Sequence, residues 1–179
     1  MRRTVLAAAT AATAGIALIV TGCSSSTDSS NTAAPAASTP VASAPAPAKQ
    51  QLDAAAALAA LTAHAPTIKQ VKAYTADTDP NHLLGRPGQY TSKVAFNDSR
   101  IKAEDVEGQD EDAVIHGGSI EVFASAADAT ARAAYLEKVT KSMPALVEYD
   151  FVVRETAVLR VSQRLSPDQA KALADALKG

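Results

Sequence analysis

Three clusters of reactive side chains stand close together in this sequence. His116-Gly117-Gly118-Ser119 matches the HGGG-type pattern, in which successive backbone N–H groups stabilise the oxyanion of an acyl transfer. Such a loop works only beside an activated nucleophile, and no G-x-S-x-G occurs in the chain. It reads as a glycine turn entering a strand, with a hydrolase using His116 as the sharper alternative. Asp77, Asp79, Asn81 and His82 have the spacing that opens an EF-hand calcium loop. The sixth position, however, is His82 where glycine is needed, and the twelfth is Gly88 where glutamate is needed. That segment reads as a turn whose Asx side chains bond local backbone. Glu104, Asp105, Glu107, Asp110, Glu111 and Asp112 form an acidic run with no base among them. A cation or a basic partner would suit it, but a solvated, self-repelling loop is the expectation. His64, His82 and His116 lack metal-ligand spacing, and no H-E-x-x-H, Walker A or dinucleotide fingerprint is present.

A recognition surface is a better use of residues 79–93. Asn81, His82, Arg86, Tyr90 and Lys93 bring an amide, an imidazole, two cations and a phenol around the turn Gly85-Arg86-Pro87-Gly88. These five are the candidate binding residues. No catalytic residue, metal site or cofactor is expected.

Composition narrows the context. Of 179 residues, 47% are hydrophobic but only 4% aromatic, with alanine filling the gap. Alanine buries little area, so the core is smaller than the hydrophobic fraction suggests. A net charge of −2 argues against nucleic acid as a partner. The lone Cys23 excludes an intrachain disulfide framework.

Residues 1–22 read as a signal peptide. Arg2 and Arg3 supply the positive start, and Thr4 to Val20 is an uncharged, mostly apolar run too short and too rich in small residues for a spanning helix. The general secretory route fits, and Arg2-Arg3 leaves twin-arginine export open. Val20-Thr21-Gly22-Cys23 resembles a bacterial lipobox. The resemblance implies that the Cys23 thiol carries diacylglycerol, with cleavage leaving Cys23 as the first mature residue. Two acyl chains anchor a protein stably where one does not. Residues 23–49 then form a tether of Ser, Thr, Ala and Pro that holds four of the nine prolines. Such a segment cannot bury enough apolar area to offset the entropy of ordering it.

The folded domain is expected over 50–179, with 14 Lys+Arg against 18 Asp+Glu, a charge of −4. A helix is predicted over 51–64, stopped by Pro66, and residues 68–74 are ambiguous between helix and strand. A strand at 89–97 has Tyr90, Ser92, Val94 and Phe96 on one face, and a strand at 118–124 has Ile120 and Val122 opposite Glu121 and Phe123. A helix follows at 126–141, N-capped by Ser125. Residues 148–164 form either two strands turning at Arg154-Glu155-Thr156 or one long strand, since no Gly or Asn marks a turn. Ser166, Pro167 and Gln169 open the last helix with a capping box. The fold class is α+β: a small, mainly antiparallel sheet of about four strands with helices packed on one face.

The run from Asp79 to Lys93 (DPNHLLGRPGQYTSK), together with GGSIEVF at 117–123 and EYDF and LRVS within 148–162, resembles lipoproteins of actinobacteria and their phages. The resemblance implies an envelope-anchored domain and brings no assigned activity or catalytic residue. The expected function is therefore a membrane-anchored extracytoplasmic lipoprotein at the outer face of the cytoplasmic membrane, non-enzymatic, binding a protein or an envelope component. Prophage-type superinfection exclusion and an envelope hydrolase are the alternatives.

Overall fold

Asp53 starts the first helix. Its carboxylate accepts the Ala55 N–H at 2.7 Å and so satisfies one of the donors a helix leaves open at its N-terminus. The helix, α1 (Ala54–His64), buries Ala54, Ala57, Leu58 and Leu61. Pro66 follows its C-terminus, and the chain turns into β1 (Ile68–Ala73), which resolves the ambiguous segment as a strand. A computed structural model describes residues 52–143, 146 and 148–178. The signal segment, Cys23 and the tether lie outside the described residues.

The remaining elements are β2 (Tyr90–Asp98), β3 (Gly117–Phe123), α2 (Ala126–Ser142), β4 (Glu148–Val153), β5 (Ala157–Ser162) and α3 (Pro167–Lys178). Two short 3-10 helices, Ala103–Val106 and Val114–His116, interrupt the acidic connection between β2 and β3. Among the described residues the strands form one antiparallel sheet in the order β1-β2-β3-β5-β4. The α+β class holds. The sheet has five strands rather than about four, the added one being β1 at an edge, where Lys69 and Lys72 discourage further pairing. No helix among the described residues is long and apolar enough to cross a membrane.

The sheet is covered on both faces rather than one. Side chains alternate along each strand, so the two sets separate cleanly. Val94, Phe96, Ile120, Val122, Leu159 and Val161 pack with Leu58 and Leu61 of α1 and Leu173 and Leu177 of α3. On the opposite face, Phe123 and Val158 pack with Ala129 and Leu136 of α2. Capping fixes α2 and α3 as expected. Ser125 accepts the Asp128 N–H, and Ser166 and Gln169 satisfy each other's backbone N–H groups at 3.2 and 2.8 Å.

Three local features depart from simple alternation. Tyr90 pairs with Phe123 and Ser92 with Val122, so Thr91 is an extra residue in the ladder, a β-bulge. The bulge reverses the alternation, and Tyr90 joins the α2 face instead of sharing one with Ser92, Val94 and Phe96. Gly117 and Gly118 lie within β3, not in an exposed loop. A Cβ on Gly118 would sit 2.2 Å from the Arg160 carbonyl oxygen and 2.5 Å from the Phe96 ring, so the Phe96 ring occupies the space that glycine leaves. The β4–β5 connection is the hairpin reading, closed by Arg154 and Glu155 at φ of 48° and 62°. Both are non-glycine residues in the left-handed region, which costs each about 1–2 kcal/mol. Arg154 Nε donates to the Leu177 carbonyl at 2.7 Å and holds the turn against the end of α3.

Candidate functional site

Two of the five expected binding residues, Tyr90 and Lys93, meet at one buried carboxylate. Asp79 is fully buried and sits at the start of the loop that runs to Gly88. Its Oδ2 accepts the Tyr90 hydroxyl at 2.6 Å and the backbone N–H groups of Leu83 and Leu84 at 2.9 and 3.2 Å. Its Oδ1 accepts Lys93 Nζ at 3.2 Å. Burial alone would raise this carboxyl. The Tyr90 hydroxyl, the Leu83 amide and Lys93 outweigh it and hold Asp79 well below the usual carboxylate range. Burial first, and then Asp79, push the Tyr90 phenol up, so it stays a donor.

The five residues therefore divide. Tyr90 is fully buried and Lys93 only 6% exposed, with its ammonium 5.3 Å from the Tyr90 ring centroid and 4.5 Å from that of Tyr74. These two fasten the loop from beneath. Asn81, His82 and Arg86 are exposed along it. The loop's shape is set by left-handed residues at His82 (φ 51°), Gly85 (81°) and Gly88 (72°). A histidine in that region is uncommon and persists here because its N–H bonds the Asp79 carbonyl at 2.9 Å.

From Lys93 a ladder of alternating charge crosses four strands beneath α2. Lys93 of β2 stands directly opposite Glu121 of β3, and Arg160 of β5 stands opposite Asp150 of β4. Glu121 is fully buried and takes Arg132 of α2 in a two-pronged contact, Nε at 2.8 Å and Nη2 at 3.0 Å, while Arg160 Nη1 reaches it at 3.2 Å. Burial would raise the Glu121 carboxyl, but Arg132 and Arg160 hold it low. Arg160 also donates to Glu148 from Nε and Nη2, at 2.9 and 2.7 Å. Asp150 is the odd member. Its Oδ1 is buried with no hydrogen-bond partner, and Arg160 Nε is 3.9 Å away. Burial and the neighbouring Glu148 push its carboxyl up to about 7.

Between the 79–88 loop and α2 lies a cleft of about 590 Å³. Asn81, Leu83, Gly88 and Gln89 form one wall, and Asp128, Arg132, Tyr135 and Leu136 the other, with Arg160 at the base. The sequence reading missed Gln89, Arg132, Tyr135 and Arg160. A signal for the polar face existed: Glu121 and Arg160 are single charges inside apolar strand segments, at the positions that alternate away from the core.

The other candidates fall elsewhere. In the acidic run, Asp112 pairs with Lys72 at 2.6 Å and accepts the Tyr74 hydroxyl at 3.0 Å, which pins the end of the connection to β1. Lys72, and then the Tyr74 hydroxyl, hold the Asp112 carboxyl below its ordinary value against the upward push of burial. Among the described residues, no group of three or more His, Cys, Asp or Glu is placed to hold a metal ion. His116 Nε2 is buried without a hydrogen-bond partner, as is Ser119 Oγ. Neither is arranged as a base on a nucleophile. Cys23 lies outside the described residues.

No protein-family model, curated protein or solved structure matches this chain.

Proposed function

We propose that the chain is a lipoprotein, anchored at the outer face of the cytoplasmic membrane through a diacylglyceryl-modified Cys23, whose folded domain is a non-catalytic binding module. The anchor rests on the positive start, the apolar run and Val20-Thr21-Gly22-Cys23. The binding role rests on one observation: four hydrogen bonds converge on the buried Asp79 carboxylate and fasten a loop whose Asn81, His82 and Arg86 are exposed. A loop held in advance of contact loses little entropy when it binds, which favours recognition. A hydrolytic role lacks a comparable arrangement, since neither His116 Nε2 nor Ser119 Oγ has a hydrogen-bond partner.

The partner is an extracytoplasmic protein or an envelope component, with no role for nucleic acid. Crosslinking in cells followed by recovery of the full-length protein tests the module. Combined His82→Ala and Arg86→Ala substitution lowers partner recovery at least about tenfold, roughly 1.4 kcal/mol, with an unchanged melting midpoint. Unchanged recovery contradicts the assigned surface. For the anchor, Cys23→Ser releases the protein from membranes and removes the lipid mass. A membrane-held wild-type protein with an unmodified Cys23 contradicts it.

A further inference from the structure

We propose that the cleft between the 79–88 loop and α2 is a subsite for a neutral saccharide unit, stacked on Tyr135 and hydrogen-bonded by Asn81, Gln89 and Asp128. The inference deepens the binding reading above and rests on it. Three observations carry it.

First, Tyr135 is 57% exposed on α2 and lines the cleft, whereas Tyr90, Phe96 and Phe123 are fully buried. The Arg132 guanidinium lies 5.6 Å from the ring centroid, and Arg132 is itself fixed by two bonds to the buried Glu121. An exposed aromatic ring with few rotatable bonds offers a flat platform at little entropic cost. The C–H face of a pyranose is the complementary surface.

Second, the polar groups around the ring are amides and a carboxylate. Asn81 and Gln89 come from the loop side and Asp128 from the helix side. Ser125 Oγ donates to Asp128 Oδ2 at 2.7 Å, which orients that carboxylate. The walls approach closely, since a Cβ on Gly88 would lie 3.6 Å from Asp128 Oδ1. Amides donate and accept, and a carboxylate accepts, so together they suit vicinal hydroxyls, which do both.

Third, the guanidinium groups in the cleft are already engaged. Arg132 uses Nε and Nη2 on Glu121, and Arg160 uses Nε and Nη2 on Glu148 and Nη1 on Glu121. Asp128 adds a further negative charge to the lining. Little uncompensated positive charge is left for a phosphate or a sulfated polymer, and the volume of about 590 Å³ is in the range of a small-ligand site.

Calorimetric titration of the full-length lipidated protein, in micelles of a detergent without a sugar headgroup, tests this. The probes are chitotriose, maltotriose and mannotriose, with inorganic phosphate as the anionic control. At least one oligosaccharide binds with a dissociation constant of about 1 mM or tighter, and phosphate gives no heat. Tyr135→Ala weakens that binding at least about tenfold, Gln89→Ala weakens it by a smaller factor, and Tyr135→Phe keeps it within about threefold. Phosphate binding in place of sugar, heat unchanged in Tyr135→Ala, or no heat from any of the three sugars overturns the inference. Silent sugars with partner recovery still dependent on His82 and Arg86 overturn this inference alone. Silent sugars with recovery independent of both residues overturn the binding reading as well.

Discussion

On one face of the sheet, Val94, Phe96, Ile120, Leu159 and Val161 meet α1 and α3 through carbon. On the other, Lys93, Glu121, Arg160 and Asp150 lie beneath α2 as charges, with Tyr90, Phe123 and Val158 the apolar share. The first face gains stability in proportion to area and accepts any side chain of similar size. The second gains little from its ion pairs, because desolvation offsets their attraction, but leaving one member unpaired is costly. The charged face therefore fixes geometry more than it adds stability. Geometry is what the 79–88 loop and the cleft beside it require.

The largest expected effect comes from unpairing the charged face. Asp79→Ala leaves Lys93, the Tyr90 hydroxyl and two backbone N–H groups without their shared acceptor, and urea denaturation should show a loss of about 3–5 kcal/mol. Combining Asp79→Leu with Lys93→Met removes both charges and recovers only the part due to Lys93, since the Tyr90 hydroxyl and two N–H groups still lack their acceptor. A loss below about 1 kcal/mol for Asp79→Ala would mean the carboxylate does not hold the loop.

Titration separates Asp150 from its neighbours. Asp150 ionises near 3.8 when unfolded and near 7 when folded, so the native state keeps a proton that the unfolded state has released. Its contribution falls as pH rises from about 4 to 7 and is flat above. Asp150→Asn should remove that fall and stabilise the protein at pH 8 by on the order of 1–3 kcal/mol. Asp79 and Glu121 have the opposite sign. Each is held below its ordinary value, so its contribution is present above about pH 4 and lost as pH falls further. Melting curves of wild type and Asp150→Asn from pH 3 to 8 check both signs, and parallel curves between pH 4 and 7 would contradict the Asp150 assignment.

The apolar face should be more forgiving. Leu159→Met conserves volume within the fully buried core and should cost less than about 1.5 kcal/mol. A much larger loss would show that this face also depends on specific shape. The smallest effect lies outside both faces. Glu155→Gly relieves a left-handed position and should stabilise by about 0.5–1 kcal/mol in denaturation, and a loss of stability would mean the Glu155 side chain has a role in the turn.

The elements with local signals were legible in the sequence. Ser125 and the Ser166–Gln169 box announced α2 and α3, and Ile120 and Val122 announced the side of β3 that meets α1 and α3. What failed depended on partners distant in sequence. Residues 68–73 gave mixed periodicity because β1 is an edge strand with one face mostly exposed. The bulge at Thr91 carries no sequence mark, so Tyr90 was assigned to the wrong face. The β4–β5 turn at Arg154-Glu155-Thr156 was read correctly, but one long strand stayed open because Arg154 and Glu155 stand where Gly or Asn would mark a turn. The exposed loop over 79–88 was legible from its turn residues and polar crest. Its cleft was not, because Arg132 and Tyr135 read as ordinary positions on α2 until the sheet brings Asn81 and Gln89 opposite them.

The central claim is that the charged face, through the loop it holds, is the face that recognises a partner. A photoreactive residue placed at the exposed Pro87 of the loop in the full-length protein, and in a parallel variant at the exposed Ala172 of α3, compares the two sides in living cells. The account predicts a discrete adduct from position 87, lost with Arg86→Ala, and none from position 172. Adducts from position 172 alone, or the same adducts from both positions, would contradict it.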